Sequence, residues 1–127
     1  MRNYATLRTH QRSFLKTGVK MRIELLAPAG SIESFYAAVN SGADSVYLGG
    51  KFFNARHNSK NFDNEEMKHI IKYAHNKGVK VYVTMNTVLK DTEIVDALNY
   101  AIFLYENDAD AVIVQDLGLL YLINKYI

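Results

Sequence analysis

One unit recurs four times along this chain and limits what it can fold into. It is a short apolar run, a small-residue turn, and an amphipathic stretch opened by a capping residue. The runs are Ile23–Ala27, Ser45–Leu48, Lys80–Met85 and Ala111–Val114. They read as near-continuous apolar runs, which predicts a parallel sheet buried on both faces. Behind Ser31, residues Ile32, Phe35, Tyr36 and Val39 fall on one helical face. Behind the capping pair Asp63 and Glu66 come Met67, Ile70, Ile71 and Ala74. Behind Asp91 or Thr92 come Ile94, Leu98, Ile102 and Tyr105, with Ala97 and Ala101 beside them. Gly42 and Gly78 close the first two helices, because a positive φ costs glycine nothing. The third helix is expected to end near Asn107. Asp116 caps a last helix from Leu117 to about Tyr126, apolar on nearly every side and so expecting cover.

Such β-α-β crossovers are right-handed, which leaves an open doubly wound sheet or a (β/α)8 barrel. The first turn, APAGS at 27–31, lacks the glycine spacing of a dinucleotide fingerprint, which disfavours the open sheet. The 127 residues are about half of the ~250 a barrel takes. The expectation is an α/β fold of parallel β/α units: the N-terminal half of a TIM-type (β/α)8 barrel, a fragment, with about four units over residues 21–127.

The net charge of +2 is unevenly placed. Residues 1–20 carry Arg2, Arg8, Arg12, Lys16 and Lys20 and no acid, leaving 10 basic and 13 acidic residues beyond them. The body of the chain is therefore acidic, and the high pI does not argue for a nucleic-acid-binding face. Residues 1–20 are expected to be a basic leader outside the fold, disordered or extraneous, with Met21 the natural start. The leader has no apolar core of a secretory signal, and no run approaches the ~20 apolar residues that span a bilayer. The expected location is the cytoplasm, with no membrane partner. There is no cysteine, hence no disulfide, thiolate metal site or iron–sulfur ligand. No metal site is expected.

Ligands of parallel α/β folds bind at the C-terminal ends of the strands. That rule gathers Pro28, Gly30, Gly49, Gly50, Asn54, Arg56, Asn61, Asn86, Gln115 and Asp116 on one rim. The connection from Lys51 to Phe62 is long, and long loops carry function. Arg56 suits a carboxylate or phosphate. Asn86 suits a substrate amide or carbonyl, or a cap of the strand-to-loop turn, and Gln115 with Asp116 suits the positioning of a substrate or base; Asn54 and Asn61 are candidates by their place on the rim. Gly49 and Gly50 admit close backbone approach or serve a strained loop start. Asp116 reads more simply as a helix cap, and Phe52, Phe53 and Phe62 as pins of the loop. Lys51 reads as a solvated loop lysine and His57 as an inert loop histidine. His69 and His75, six apart, do not share a helical face as ligands. No catalytic triad or HExxH arrangement is readable, so the catalytic residues stay unassigned.

ELLAPAGS at 24–31, GADSVYLGG at 42–50, FNAR at 53–56 followed by NF, VYVTMNT at 81–87 and VQDLGL at 114–119 occur in order. Together they resemble the N-terminal part of the collagenase-like peptidases, family 32 of the peptidases of unknown catalytic type. The resemblance covers Arg22 to Ile127. It implies a barrel that continues beyond Ile127, and a peptidase scaffold whose substrate-facing rim lies here, inactive alone. The same family includes factors that hydroxylate tRNA, ribosomal RNA or ubiquinone precursors, several with an iron–sulfur cluster on later cysteines. The resemblance thus leaves three readings: a peptidase, a hydroxylation factor with its cluster in sequence beyond this chain, or a truncated non-enzymatic chain. Its partners would be a peptide, an RNA or a small molecule, together with the rest of its own barrel.

Overall fold

The computed structural model describes residues 23–55 and 61–127. The basic leader, Arg56 and His57 lie outside the described residues. Four strands, β1 (Leu26–Pro28), β2 (Ser45–Gly49), β3 (Lys80–Met85) and β4 (Ala111–Val114), alternate with helices. These are α1 (Ile32–Asn40), α2 (Asn64–Asn76), α3 (Ile94–Glu106) and α4 (Leu117–Tyr126). All strand pairs are parallel, and their order across the sheet is β1-β2-β3-β4. An open doubly wound sheet reverses direction at a switch point; a barrel wall does not. The unreversed order is the barrel's.

Register assigns the faces. Val46 lies beside Val81, and Leu48 beside Val83. These side chains and Met85 are buried against Phe35, Met67, Ile70 and Leu104 of the helices. The opposite face presents Tyr47 beside Tyr82 and Thr84 beside Ile113. This face is half-open: Leu26 is 42% and Ile113 39% exposed. The expectation of burial on both faces therefore holds here for the helical face alone.

Local chemistry sets the boundaries. Ser31 caps α1, accepting from the Ser34 N–H at 3.2 Å, and Asp63 and Glu66 cap α2 reciprocally at 2.9 Å each. Gly42 and Gly78 turn out of α1 and α2 with φ of 93° and 70°. Three expectations are corrected. β1 begins at Leu26, not Ile23, because the Leu25 N–H donates to the Asp44 carboxylate. It includes Pro28, whose missing N–H is tolerated on an edge strand. Neither Asp91 nor Thr92 caps α3. A 3-10 turn over Asp91–Glu93 leads into it, and Glu93 reaches back to accept the Lys90 N–H at 2.8 Å. The buried face of α3 is Ala97, Tyr100, Ala101 and Leu104, while Tyr105 is 65% exposed. On α4, Leu119 is buried while Leu117, Leu120, Tyr121 and Tyr126 are exposed.

At the N-terminal end of the open face, Glu24 accepts from the Tyr82 hydroxyl at 2.5 Å and the Lys80 ammonium at 3.2 Å. Donors led by Tyr82 hold the Glu24 carboxyl down at about 2, against an ordinary 4.5. A lowered folded pKa contributes stability that is complete above the ordinary value and is lost as pH falls toward the lowered one. Acid sensitivity from this group is thus expected between 4.5 and about 2. Tyr82→Phe is expected to move the Glu24 carboxyl titration upward, as followed by NMR. An unmoved titration would rule out Tyr82 as its main partner.

Candidate binding site at the strand ends

The ends of β1, β2 and β3 converge on a cavity of about 270 Å3. Tyr47 and Gly49 come from β2, Thr84 from β3, and Ala29 and Gly30 from the turn after β1. Asn54, Ala55, Asn61 and Phe62 come from the long β2–α2 connection, and Asn86 from just past β3. The two ends of that connection are zipped together. Lys51 N–H donates to the Phe62 carbonyl at 3.0 Å, Phe62 N–H to the Gly49 carbonyl at 3.4 Å, and Gly50 bridges Phe62. Phe62 is buried and anchors the return, Phe53 packs against the core, and Phe52 stays exposed.

Asn54 is the hub of this loop. It is 3% exposed, and its side-chain amide donates to the Gly50 carbonyl. A methyl on Gly49 would sit 2.8 Å from the Asn54 Cγ, so glycine is what lets the carboxamide dock on the strand. A methyl on Gly50 would sit 1.9 Å from the Tyr100 hydroxyl oxygen. Both glycines thus make room for the protein's own side chains. Neither adopts a positive φ, so the strained-turn reading of this pair is set aside. The strained residue is their neighbour Phe53, at φ 63°, a conformation of the kind that clusters at functional loops.

Asn86 ties the loop to β3: its Oδ1 accepts the Ala55 N–H at 3.0 Å. Thr84 donates its hydroxyl to the Leu48 carbonyl at 3.2 Å. The rim positions read from sequence therefore divide. Gly30, Gly49, Asn54, Asn61 and Asn86 line one cavity, and Gly50 lies beneath it against Tyr100. Gln115 and Asp116 lie beyond the end of β4, outside the cavity lining. Asp116 accepts the Leu119 N–H at 2.9 Å and the Leu89 N–H at 3.1 Å, capping α4 and bracing the β3–α3 connection. Those backbone donors, Leu119 first, hold its carboxyl below the usual range. Tyr47 and Thr84 escaped the sequence reading. Alternation along β2 puts Tyr47 on the face of Gly49, and the β2–β3 register puts Thr84 beside Gly49.

The described lining offers carboxamides, one hydroxyl of threonine, a phenol, the four apolar side chains of Ala29, Leu48, Ala55 and Phe62, and glycine backbone. None of these is a carboxylate, an imidazole or an amine. What the arrangement supplies is directional hydrogen bonding beside a ring, which is recognition chemistry. Among the described residues no three His, Asp or Glu side chains converge as a metal centre would require. With no cysteine in the chain, these residues do not fit an iron–sulfur cluster. His69 and His75 are engaged separately, with the Tyr36 hydroxyl at 3.0 Å and the Asp110 carboxylate at 2.7 Å.

Residues 30–127 match Peptidase family U32. Over 101 residues the chain is 43% identical to the 23S rRNA 5-hydroxycytidine synthase of Escherichia coli, covering 80% of this chain and 15% of that protein. Over 103 residues it is 42% identical to an uncharacterized protease of Methanocaldococcus jannaschii, covering 81% of this chain and 25% of that protein. A solved U32 peptidase matches in fold with a TM-score of 0.59, over 88% of this chain and 50% of that one, at 13% identity. The chain thus spans a quarter or less of these two curated relatives.

Proposed function

We propose, since this chain belongs to Peptidase family U32, that its strand-end cavity is the substrate-holding wall of an RNA-modifying protein and grips a nucleobase by its polar edge. One observation carries the reading: Asn54, Asn61 and Asn86 surround a cavity that also holds the Tyr47 ring. A carboxamide offers a donor and an acceptor side by side, the pairing that reads base edges, and an unstacked RNA base stacks on aromatic rings. Asn86 uses its oxygen on Ala55, and no described residue takes its NH2 group. The cavity lies near the lower end of ligand-pocket volumes, roughly 300 Å3, a size for one base rather than a folded partner. The similarity to the rRNA 5-hydroxycytidine synthase supports the same reading.

On this proposal the chain binds and orients, while the remaining barrel strands, the reacting groups and any iron–sulfur cluster come from sequence outside these residues. The protein would work in the cytoplasm, where tRNA and rRNA are modified. Among the described residues no helix is long and apolar enough to cross a membrane. A second reading, peptide hydrolysis, draws on the similarity to the archaeal protease, since carboxamides also grip peptide groups.

One experiment separates them. Deleting the gene is expected to remove a hydroxylated pyrimidine from rRNA or tRNA, as read by mass spectrometry of the nucleosides. Complementation with an Asn86→Ala variant is expected to restore it poorly. An unchanged nucleoside profile, together with gelatin cleavage by the purified intact protein, would transfer the proposal to the peptidase reading.

A further inference from the structure

A second hollow, of about 360 Å3, lies apart from the strand-end cavity. Phe52, Phe53, Tyr100 and Phe103 wall it, and Asn64, Asp96 and Asn99 edge it. The rings run as a continuous series. Phe52 and Phe53 have centroids 6.2 Å apart, Phe53 and Tyr100 6.2 Å, and Tyr100 and Phe103 5.9 Å with planes only 16° apart. Tyr100 is 8% exposed, and its hydroxyl lies against Gly50. Burial alone pushes that phenol up to about 12, so the ring that walls the hollow stays neutral. The left-handed Phe53 has a use here, since this backbone places its ring against Tyr100.

We propose that this hollow binds the guanidinium of an arginine side chain presented by a partner protein. Aromatic faces attract cations, and the Lys68 ammonium already rests 5.8 Å from the Phe103 centroid. A planar guanidinium lies flat on an aromatic face where a compact ammonium makes only a point contact. Its five N–H donors also need several acceptors. The hollow offers them: the Asp96 carboxylate and the Asn64 and Asn99 carboxamide oxygens. Beyond residue 20 the chain carries 10 basic and 13 acidic residues, a balance that favours a cationic partner. The site is independent of the substrate proposed for the strand-end cavity.

The probe is N-acetyl-arginine amide, titrated into the intact protein by calorimetry against its neutral citrulline counterpart. The arginine compound is expected to bind at least about tenfold more tightly, the difference a charged hydrogen-bonded pair makes. Asp96→Asn is expected to remove most of that preference without changing the thermal midpoint, because Asp96 is exposed. Phe52→Ala, also at an exposed side chain, is expected to weaken the arginine compound. Equal affinity for the two compounds, no binding of either, or a preference that survives Asp96→Asn would overturn the proposal.

Discussion

Gly50→Ala is expected to lower the thermal midpoint by about 10 °C, although it adds a single methyl group. The added Cβ would lie 1.9 Å from the Tyr100 hydroxyl oxygen and 2.7 Å from the ring carbon that carries it. A flexible side chain could swing away, but this ring is held between Phe53 and Phe103 and is 8% exposed. Either Tyr100 leaves its slot or the backbone at the end of β2 lifts, and the second choice breaks the Gly50–Phe62 bridge. Overpacking of this kind costs about 1–3 kcal/mol and occasionally more. Two controls make the claim specific. Gly30 has nothing within 4 Å of its notional Cβ, so Gly30→Ala is expected to be nearly neutral. Tyr100→Phe removes the nearest atom, so the double variant should be less damaged than the two single losses summed. Full additivity, measured by thermal or denaturant unfolding, would refute the clash.

The second large effect belongs to Asn54. Asn54→Ala leaves the Gly50 carbonyl without its side-chain donor and opens a void beside Gly49, at an expected cost of about 2 kcal/mol. Asn54→Asp keeps the shape and is expected to be worse at neutral pH. It sets a buried carboxylate against a carbonyl oxygen where a donor is needed. The sign of its pH dependence follows. Burial disfavours the charged form, so the introduced carboxyl has a raised pKa in the folded state. Its neutral form can donate to Gly50, so stability is expected to recover as pH falls through that raised pKa. The matching functional result is a loss of substrate affinity in both variants, because the loop that Asn54 holds carries one wall of the cavity. If Asn54→Asp were more stable than Asn54→Ala at pH 7 and no better at pH 5, the carboxamide would not be acting as a donor.

Much of this architecture was legible before any coordinate. Lys80–Met85 and Ala111–Val114 were readable to the residue, because β-branched runs between a helix end and a polar cap admit no other register. The caps at Ser31 and Asp63 were equally plain, being local chemistry over three residues. What sequence periodicity missed was decided at longer range. The start of β1 is set by Asp44, nineteen residues away, which takes the Leu25 amide. The buried face of α3, with Ala97, Tyr100, Ala101 and Leu104, is fixed by packing against elements distant in sequence and not by the apolar stripe alone. At the strand ends, the rim rule named the right neighbourhood. Asp116 was already readable as a helix cap, but the rule placed Gln115 on the same rim as Asn54 and Asn86, although it lies outside the cavity they line. Tyr100 was invisible as a wall of the second hollow, because nothing local to α3 says that Gly50 will sit against it.

The unreversed order of the sheet also has a meaning for synthesis. Each strand pairs with the one that precedes it in the chain, and β3 and β4 each meet an edge already formed. A chain leaving the ribosome can therefore lengthen its sheet by accretion, without waiting for a late strand to insert between earlier ones. The growing edge is the hazard of that route, since an unpaired strand edge templates association with any extended chain nearby. The edge strand β4, with the exposed leucines of α4 beside it, is the vulnerable front of the nascent sheet.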